Sequence, residues 1–431
     1  MKKLLAMFLA VVMIALTIAA CASPAGDTSA DDASPASEGG IITFANQQWN
    51  EAGTGDFLRM KHQEFTEANP EYTFEEIFFA TGELITQMLL AIAAGTPPDL
   101  IVWTLSRVGT VINNGDTMPL NDFVSDELVE RWKNGDFGAP MQSAPLYTDG
   151  IFNAVLYQQS SSQLMVNTLM FEEAGLPIPT TFEEFVNAAI ELSDAPHQFG
   201  YAFDTIETNT RVFEAFCVWA FGFDPDFQAD GYINVNTPGV IEGMTQWKRL
   251  FDVPTVPVGM ERNAWRSLFG QGGVGMIIDG PWVYASALAE DDNVAEHIIV
   301  VPTVFPTGIS QGDGGTILIP RGANNPVGAG KFLDLILSRE NQELWTNMTM
   351  SLGGDNTVTD SFIAANPWFN GYAVAAEGGL IMTRYPENLP DYFEDLDRIL
   401  AHYVQQIMFE DRDPAEAMAA AQAEIDALIG N

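Results

Sequence analysis

Cysteine is almost missing from this chain: Cys21 and Cys217 are the only two in 431 residues. Cys21 falls in a leader segment discussed below, so no disulfide framework is available and packing must hold the fold. Cys217 sits among Phe213, Phe216 and Ala220 at helical spacing, which reads as a core position. Positive charge is scarce too, with 18 Lys and Arg against 58 Asp and Glu and a formal net charge of −40. Such a body repels nucleic acid and anionic membrane surfaces. Histidine is rare, and His62, His197, His297 and His402 never pair at i,i+3 or i,i+4 spacing, so no metal site is expected. No Gly-x-Ser-x-Gly elbow occurs. Beyond the leader no apolar run reaches the ~20 residues that a spanning helix needs.

Apolar residues make up 47% of the chain, including 28 Phe and 9 Trp, ample for a folded core and too much for wholesale disorder. The length suggests two or three domains. Lys2 and Lys3 precede an apolar stretch over 4–20 that ends in small residues, the pattern of an export signal. The ending Ile18-Ala19-Ala20-Cys21 resembles a bacterial lipobox, which implies acylation of Cys21. Residues 22–40 are rich in Ser, Ala, Pro, Asp and Gly and hold no large apolar residue until Ile41, as in a flexible tether.

From residue 41 the pattern alternates. Strands are expected at 41–45, 72–79 and 99–103, with helices at 56–68 and 82–94 between them, which implies a parallel sheet with helices on its faces. Further strands are expected at 152–157, 163–167, 274–278, 298–302 and 316–319. Thr181-Phe-Glu-Glu184 is a capping box, and Asp413-Pro414 opens a final helix. Gly270-Gln-Gly272-Gly-Val-Gly275 fits a dinucleotide pattern, but a helix precedes it and a strand follows. That context is reversed, so no nucleotide and no other cofactor is expected. Asp226-x-Gln228-x-Asp230 begins like a calcium loop yet lacks the glutamate at position twelve and reads as a turn. Trp49, Trp103 and Trp282 all fall at or just beyond strand ends, where open α/β sheets bind ligands. An indole face suits the C–H face of a sugar ring.

Several longer runs carry a resemblance: Phe65-Thr-Glu-Ala-Asn-Pro70, Ile92-Ala-Ala-Gly-Thr-Pro-Pro-Asp-Leu-Ile101, Met165-Val-Asn167 with Phe171-Glu-Glu-Ala-Gly-Leu-Pro177, and Phe269 to Trp282 ending in Gly-Pro-Trp. Together they resemble the extracellular solute-binding proteins of ABC importers, in the carbohydrate group that includes maltose-binding proteins. Val166, Thr168 and Phe182 depart from the family's usual Tyr, Lys and Trp. The resemblance implies an α/β, two-lobed, periplasmic-binding-protein-like fold with a hinge and an interlobe ligand cleft. Lobe one would be 41–151 plus 303–338 and lobe two 152–302 plus 339–431. It also implies a sugar or oligosaccharide ligand, a permease partner in the membrane, a lipid anchor at Cys21, an exported location on the outer face of the cytoplasmic membrane, and action as a monomer without catalysis. By motif, Trp282 would stack on the sugar, and Trp103 and Arg107 would contact it from lobe one. Gln48 and Trp49 fall where the family places a contact. Gln159, Asn209 and Tyr392 are further expected contacts. Two other functions stay open at this point: a secreted carbohydrate-active enzyme, and a surface sensor or adhesin using the same cleft.

Overall fold

The computed structural model describes residues 39–430, apart from 52, 80–82, 138–140, 142–144, 205–208, 261, 356–357, 378–380, 385–388 and 390–391. The signal segment, Cys21 and nearly all of the tether lie outside the described residues. The strands in chain order are β1 (Gly40–Ala45), β2 (Tyr72–Ile77), β3 (Leu100–Thr104), β4 (Tyr147–Thr148), β5 (Ile151–Phe152), β6 (Val155–Ser161), β7 (Gln163–Asn167), β8 (Phe199–Ala202), β9 (Val274–Asp279), β10 (Ile298–Val301), β11 (Ser310–Leu318), β12 (Leu352–Gly353) and β13 (Ile381–Thr383).

β1 runs parallel to β2 over its whole length and parallel to β3, as strand–helix–strand connections require. They form part of a seven-stranded sheet ordered β12-β6-β11-β3-β1-β2, with β13 pairing β11. A second, four-stranded sheet has the order β10-β7-β9-β8. β4 and β5 make a small separate hairpin. Each main sheet is covered by helices whose apolar faces bury against it. Ile42, Phe44, Ile101, Ile317 and Phe332 form the core of the first. The second packs Phe185, Phe216, Trp219, Trp247 and Phe305 on one side, and Trp265, Phe269 and Tyr372 on the other. Cys217 is fully buried in the helix Asn209–Phe223 among these aromatics, and burial pushes its thiol well above the usual range.

Thr181 caps its helix with both bonds of the capping box: Glu184 N–H donates to the Thr181 hydroxyl, and Thr181 N–H donates to the Glu184 carboxylate. β11 is the main departure from the expected elements. It runs six residues further toward its N-terminus than the apolar pattern suggests, through Ser-Gln-Gly-Asp-Gly-Gly. Those glycines weaken any strand signal, yet the packing demands them. A Cβ on Gly315 would sit 2.4 Å from the Tyr157 ring, and one on Gly314 would sit 2.6 Å from Leu156.

The crossing points between the sheets differ from the expected lobe boundaries. β6 belongs to the first sheet and β7 to the second, so Ser162 alone joins them. Phe152, Val155, Leu156 and Tyr157 pack in the first core, as does Trp345 from the helix Arg339–Thr349. Phe305, between β10 and β11, packs in the second core. Side-chain burial decides these memberships, and strand order along the chain does not reveal it. Among the described residues no helix is long and apolar enough to cross a membrane, and no group of His, Cys, Asp and Glu could hold a metal ion.

Candidate functional site

A cavity of about 130 Å³ opens where the crossing strands meet the second lobe. Its floor is Ser160, Ser161 and Ser162 at the end of β6, with Gln311, Gly312 and Asp313 at the start of β11. Its wall comes from the helix Asn209–Phe223, the helix Arg262–Gly270, the ends of β8 and β9, and Arg384. Trp282, the first residue of the helix that follows β9 and its Gly-Pro turn, lines the same space.

The polar lining is held by two sets of ion pairs. Arg211 and Glu214 lie three residues apart on one helix face and pair at 2.8 Å. Arg262 reaches Glu214 at 2.7 Å and also pairs with Asp204, which accepts the Trp265 indole N–H at 3.2 Å. Arg384 pairs with both Glu214 and Asp313. Asp313 in turn accepts from the Ser106 backbone N–H at 3.1 Å and its hydroxyl at 2.8 Å, so the chain of contacts crosses into the first lobe. Arg266 grips Asp279 with two parallel bonds of 2.7 and 2.8 Å, the bidentate geometry that gives guanidinium–carboxylate pairs their rigidity. Its guanidinium lies over the Trp282 ring, 5.9 Å from the centroid.

Burial alone would raise the Glu214 carboxyl, but Arg384, Arg262 and Arg211 together outweigh it and hold Glu214 well below the usual carboxylate range. The site therefore presents fixed charges whose positions are set by one another. Such groups form strong hydrogen bonds to neutral hydroxyls without having to rearrange. A second link between the lobes runs from Arg107, in the turn after β3, to Asp397 in the helix Phe393–Phe409, at 2.7 Å with the carboxylate buried.

The sequence model for bacterial extracellular solute-binding proteins matches residues 62–370 of this chain. The chain belongs to the bacterial extracellular solute-binding protein family. A maltotriose-binding protein of Pyrococcus abyssi is 23% identical over 364 residues, covering 81% of this chain and 74% of that one. Among solved structures, maltose-bound MalE3 of T. maritima superposes with a TM-score of 0.77 at 16% identity, covering 90% of this chain and 99% of that one. A solute-binding protein of Thermotoga lettingae bound with α-D-tagatose superposes with a TM-score of 0.73 at 19% identity, covering 90% and 98%. These superpositions fix the two-lobed α/β fold of this solute-binding protein.

The expected contact residues separate into groups. Trp282 lines the cavity. Trp49 and Trp103 do not: each is 1% exposed and belongs to the first core. The loop after β1 folds back, so that Trp49 donates its indole N–H to the Phe44 carbonyl and packs edge-on against that ring. Trp103 lies within β3, a strand buried on both faces, and its N–H donates to the Arg107 carbonyl. Gln48 is buried against the first crossing strand, donating to Gln158 and accepting from Tyr157. Gln159 donates its amide to the Gly354 carbonyl and so ties β6 to the turn after β12. Tyr392 precedes the helix Phe393–Phe409 and packs on the second core. Asn209 opens the helix that carries Arg211 and Glu214, and its side chain lies outside the described residues. Arg107 bridges the lobes and does not line the cavity.

The residues that sequence reasoning passed over are the arginines. Arg211, Arg262, Arg266 and Arg384 are four of only 18 basic residues in the chain, and they converge on one site. Arg262 and Arg266 at i,i+4 on a short helix were a legible hint, because in so acidic a chain a cationic helix face needs a reason.

Proposed function

We propose that this solute-binding protein is the exported, lipid-anchored receptor of an ABC importer and that it captures a neutral sugar between its lobes. The observation that carries the reading is Trp282 beside a cavity walled by mutually paired carboxylates and guanidiniums at the crossing strands. An indole face takes the apolar side of a pyranose, and fixed charged groups take its hydroxyls. Relatives named for maltotriose and galactooligosaccharide binding support the same ligand class.

The sugar docks on the second lobe and the crossing strands. Rotation about Ser162, residues 302–309 and the segment after β12 then brings the first lobe onto it. Closure is favoured because the ligand touches both lobes only in the closed state. The permease receives the sugar, and ATP is hydrolysed on a separate subunit. Cys21, acylated after cleavage of the signal, holds the receptor at the outer face of the cytoplasmic membrane. Glycoside hydrolysis would need one carboxyl kept protonated as an acid. Among the described residues, every carboxylate lining this cavity is ion-paired with an arginine, which favours a binder. A thermal-shift screen against a carbohydrate panel tests the reading. A true ligand at 100 times its dissociation constant adds about 2.7 kcal/mol; flat melting curves across the panel would refute it.

A further inference from the structure

The geometry points to a short ligand: one or two neutral sugar rings, or a polyol of that size, held at a single stacking platform with Gln311 reading one hydroxyl. This deepens the sugar-binding reading above and rests on it.

Four observations converge. The first is size. A cavity of about 130 Å³ offers the room that roughly four waters take in the liquid, at ~30 Å³ each, which is too little for a chain of several sugar rings. The second is the number of platforms. Long oligosaccharides need aromatic faces spaced along a cleft, one for every ring or two. Here Trp49 and Trp103 are locked in the first core, and Arg266 caps one face of Trp282. Trp219 and Trp265 also line the cavity but are 1% and 2% exposed, so among the described residues Trp282 is the one lining indole that is not fully buried.

The third is charge. Asp204, Glu214, Asp279 and Asp313 are each paired with an arginine, four acids against four guanidiniums. An anionic sugar would have to compete with a resident carboxylate for its arginine, whereas a neutral hydroxyl adds to the network without breaking a pair. The fourth is an acceptor. Gln311 is 8% exposed and lines the cavity from a crossing strand. Its amide N–H donates to the Ser162 hydroxyl at 2.6 Å, while its Oε1 is buried with no partner among the described residues. A buried acceptor without a donor is costly, and a ligand hydroxyl becomes that donor when the Gln311 amide turns into the cavity it lines. A site built this way rejects analogues that lack the hydroxyl.

The test is titration calorimetry with glucose, galactose and xylose, their di-, tri- and tetrasaccharides, and the corresponding uronic acids and sugar phosphates. Affinity should reach its maximum at one or two rings, with a third ring adding nothing, and the charged analogues should bind at least about tenfold more weakly than their neutral parents. Gln311→Leu should weaken the best ligand about tenfold while leaving the unliganded melting temperature unchanged or higher. Should that variant fail to melt cooperatively, Gln311→Asn, one methylene shorter, should give the same loss of affinity. A trisaccharide binding tenfold tighter than its disaccharide would overturn the size inference and leave the sugar reading standing. A uronic acid binding tighter than its parent sugar would overturn the charge argument, and unchanged affinity in both Gln311 variants would overturn its role. If no saccharide of any length binds, the sugar reading fails and this inference with it.

Discussion

Replacing Glu214 with glutamine keeps the shape of the side chain and removes the one charge that three arginines share. Arg211 and Arg262 stand 2.8 and 2.7 Å from it, and Arg384 pairs with it as well. Only 12% of the Glu214 side chain is exposed, so water cannot take over its role. Removing one partner of a buried pair costs about 3–5 kcal/mol because the remaining charge is left uncompensated. Unfolding entropy of ~2.1 cal/mol/K per residue over the roughly 390 residues from 39 to 430 converts this to a drop of about 4–6 °C in melting temperature.

The pH dependence sharpens the test. The folded carboxyl lies well below its unfolded value, held there by the arginines against the opposing effect of burial. Its contribution is therefore complete above the unfolded value of ~4.3 and is lost as pH falls through the folded one. Glu214→Gln should melt several degrees below the parent at pH 7, and the gap should narrow once the pH falls below about 4. Scanning calorimetry at a series of pH values measures both. A melting difference under 1 °C at pH 7, or one of equal size at pH 7 and pH 3, would refute the claim that this carboxylate holds the arginine cluster together.

Four further outcomes are expected. Trp282→Ala should abolish or reduce sugar affinity at least a hundredfold, a loss of about 2.7 kcal/mol, with the circular dichroism spectrum unchanged; undiminished affinity would remove Trp282 from the site. Arg107→Met should loosen the contact with Asp397, raising the radius of gyration of the unliganded protein in small-angle scattering; an identical scattering profile would show that this pair does not restrain the lobes. Burial, with a smaller effect from Arg59, lowers His62 to about 3, so folding excludes a proton that the unfolded chain accepts below ~6.5. Stability should then fall by up to about 1.4 kcal/mol per pH unit between ~6.5 and ~3 on this account, and His62→Leu should flatten that slope in denaturant titrations. Gly315→Ala should destabilise by about 1–3 kcal/mol because its Cβ meets the Tyr157 ring, as chemical denaturation would record.

Much of the fold could be read in advance because it depends on short-range chemistry. The β1–helix–β2–helix–β3 run follows from apolar spacing broken by Asn69-Pro70 and by Gly95 with Pro97-Pro98, and the register confirms its parallel pairing. The capping box at Thr181 forms with both bonds in place. The glycine-rich first half of β11 was hidden, since its glycines answer to Tyr157 and Leu156, more than 150 residues away. The lobe boundaries were hidden for the same reason: a single residue, Ser162, separates a strand of one sheet from a strand of the other.

The candidate site divides along the same line. Gly-Pro-Trp282 is a local motif at the end of β9, legible without the fold, and its Trp282 lines the cavity. Trp49 and Trp103 have equally suggestive positions along the chain, but whether an indole faces core or cleft depends on what packs against it, and both are covered. The arginine–carboxylate cluster draws on five separated stretches of chain, from Asp204 to Arg384. The sequence by itself determined the alternating α/β elements and the family, both of which are written in contiguous residues. Only the tertiary structure decided where the lobes meet, which tryptophans are spent on the core, and which charges share the cavity. Those outcomes depend on burial and on Coulomb contacts between residues that only folding brings together.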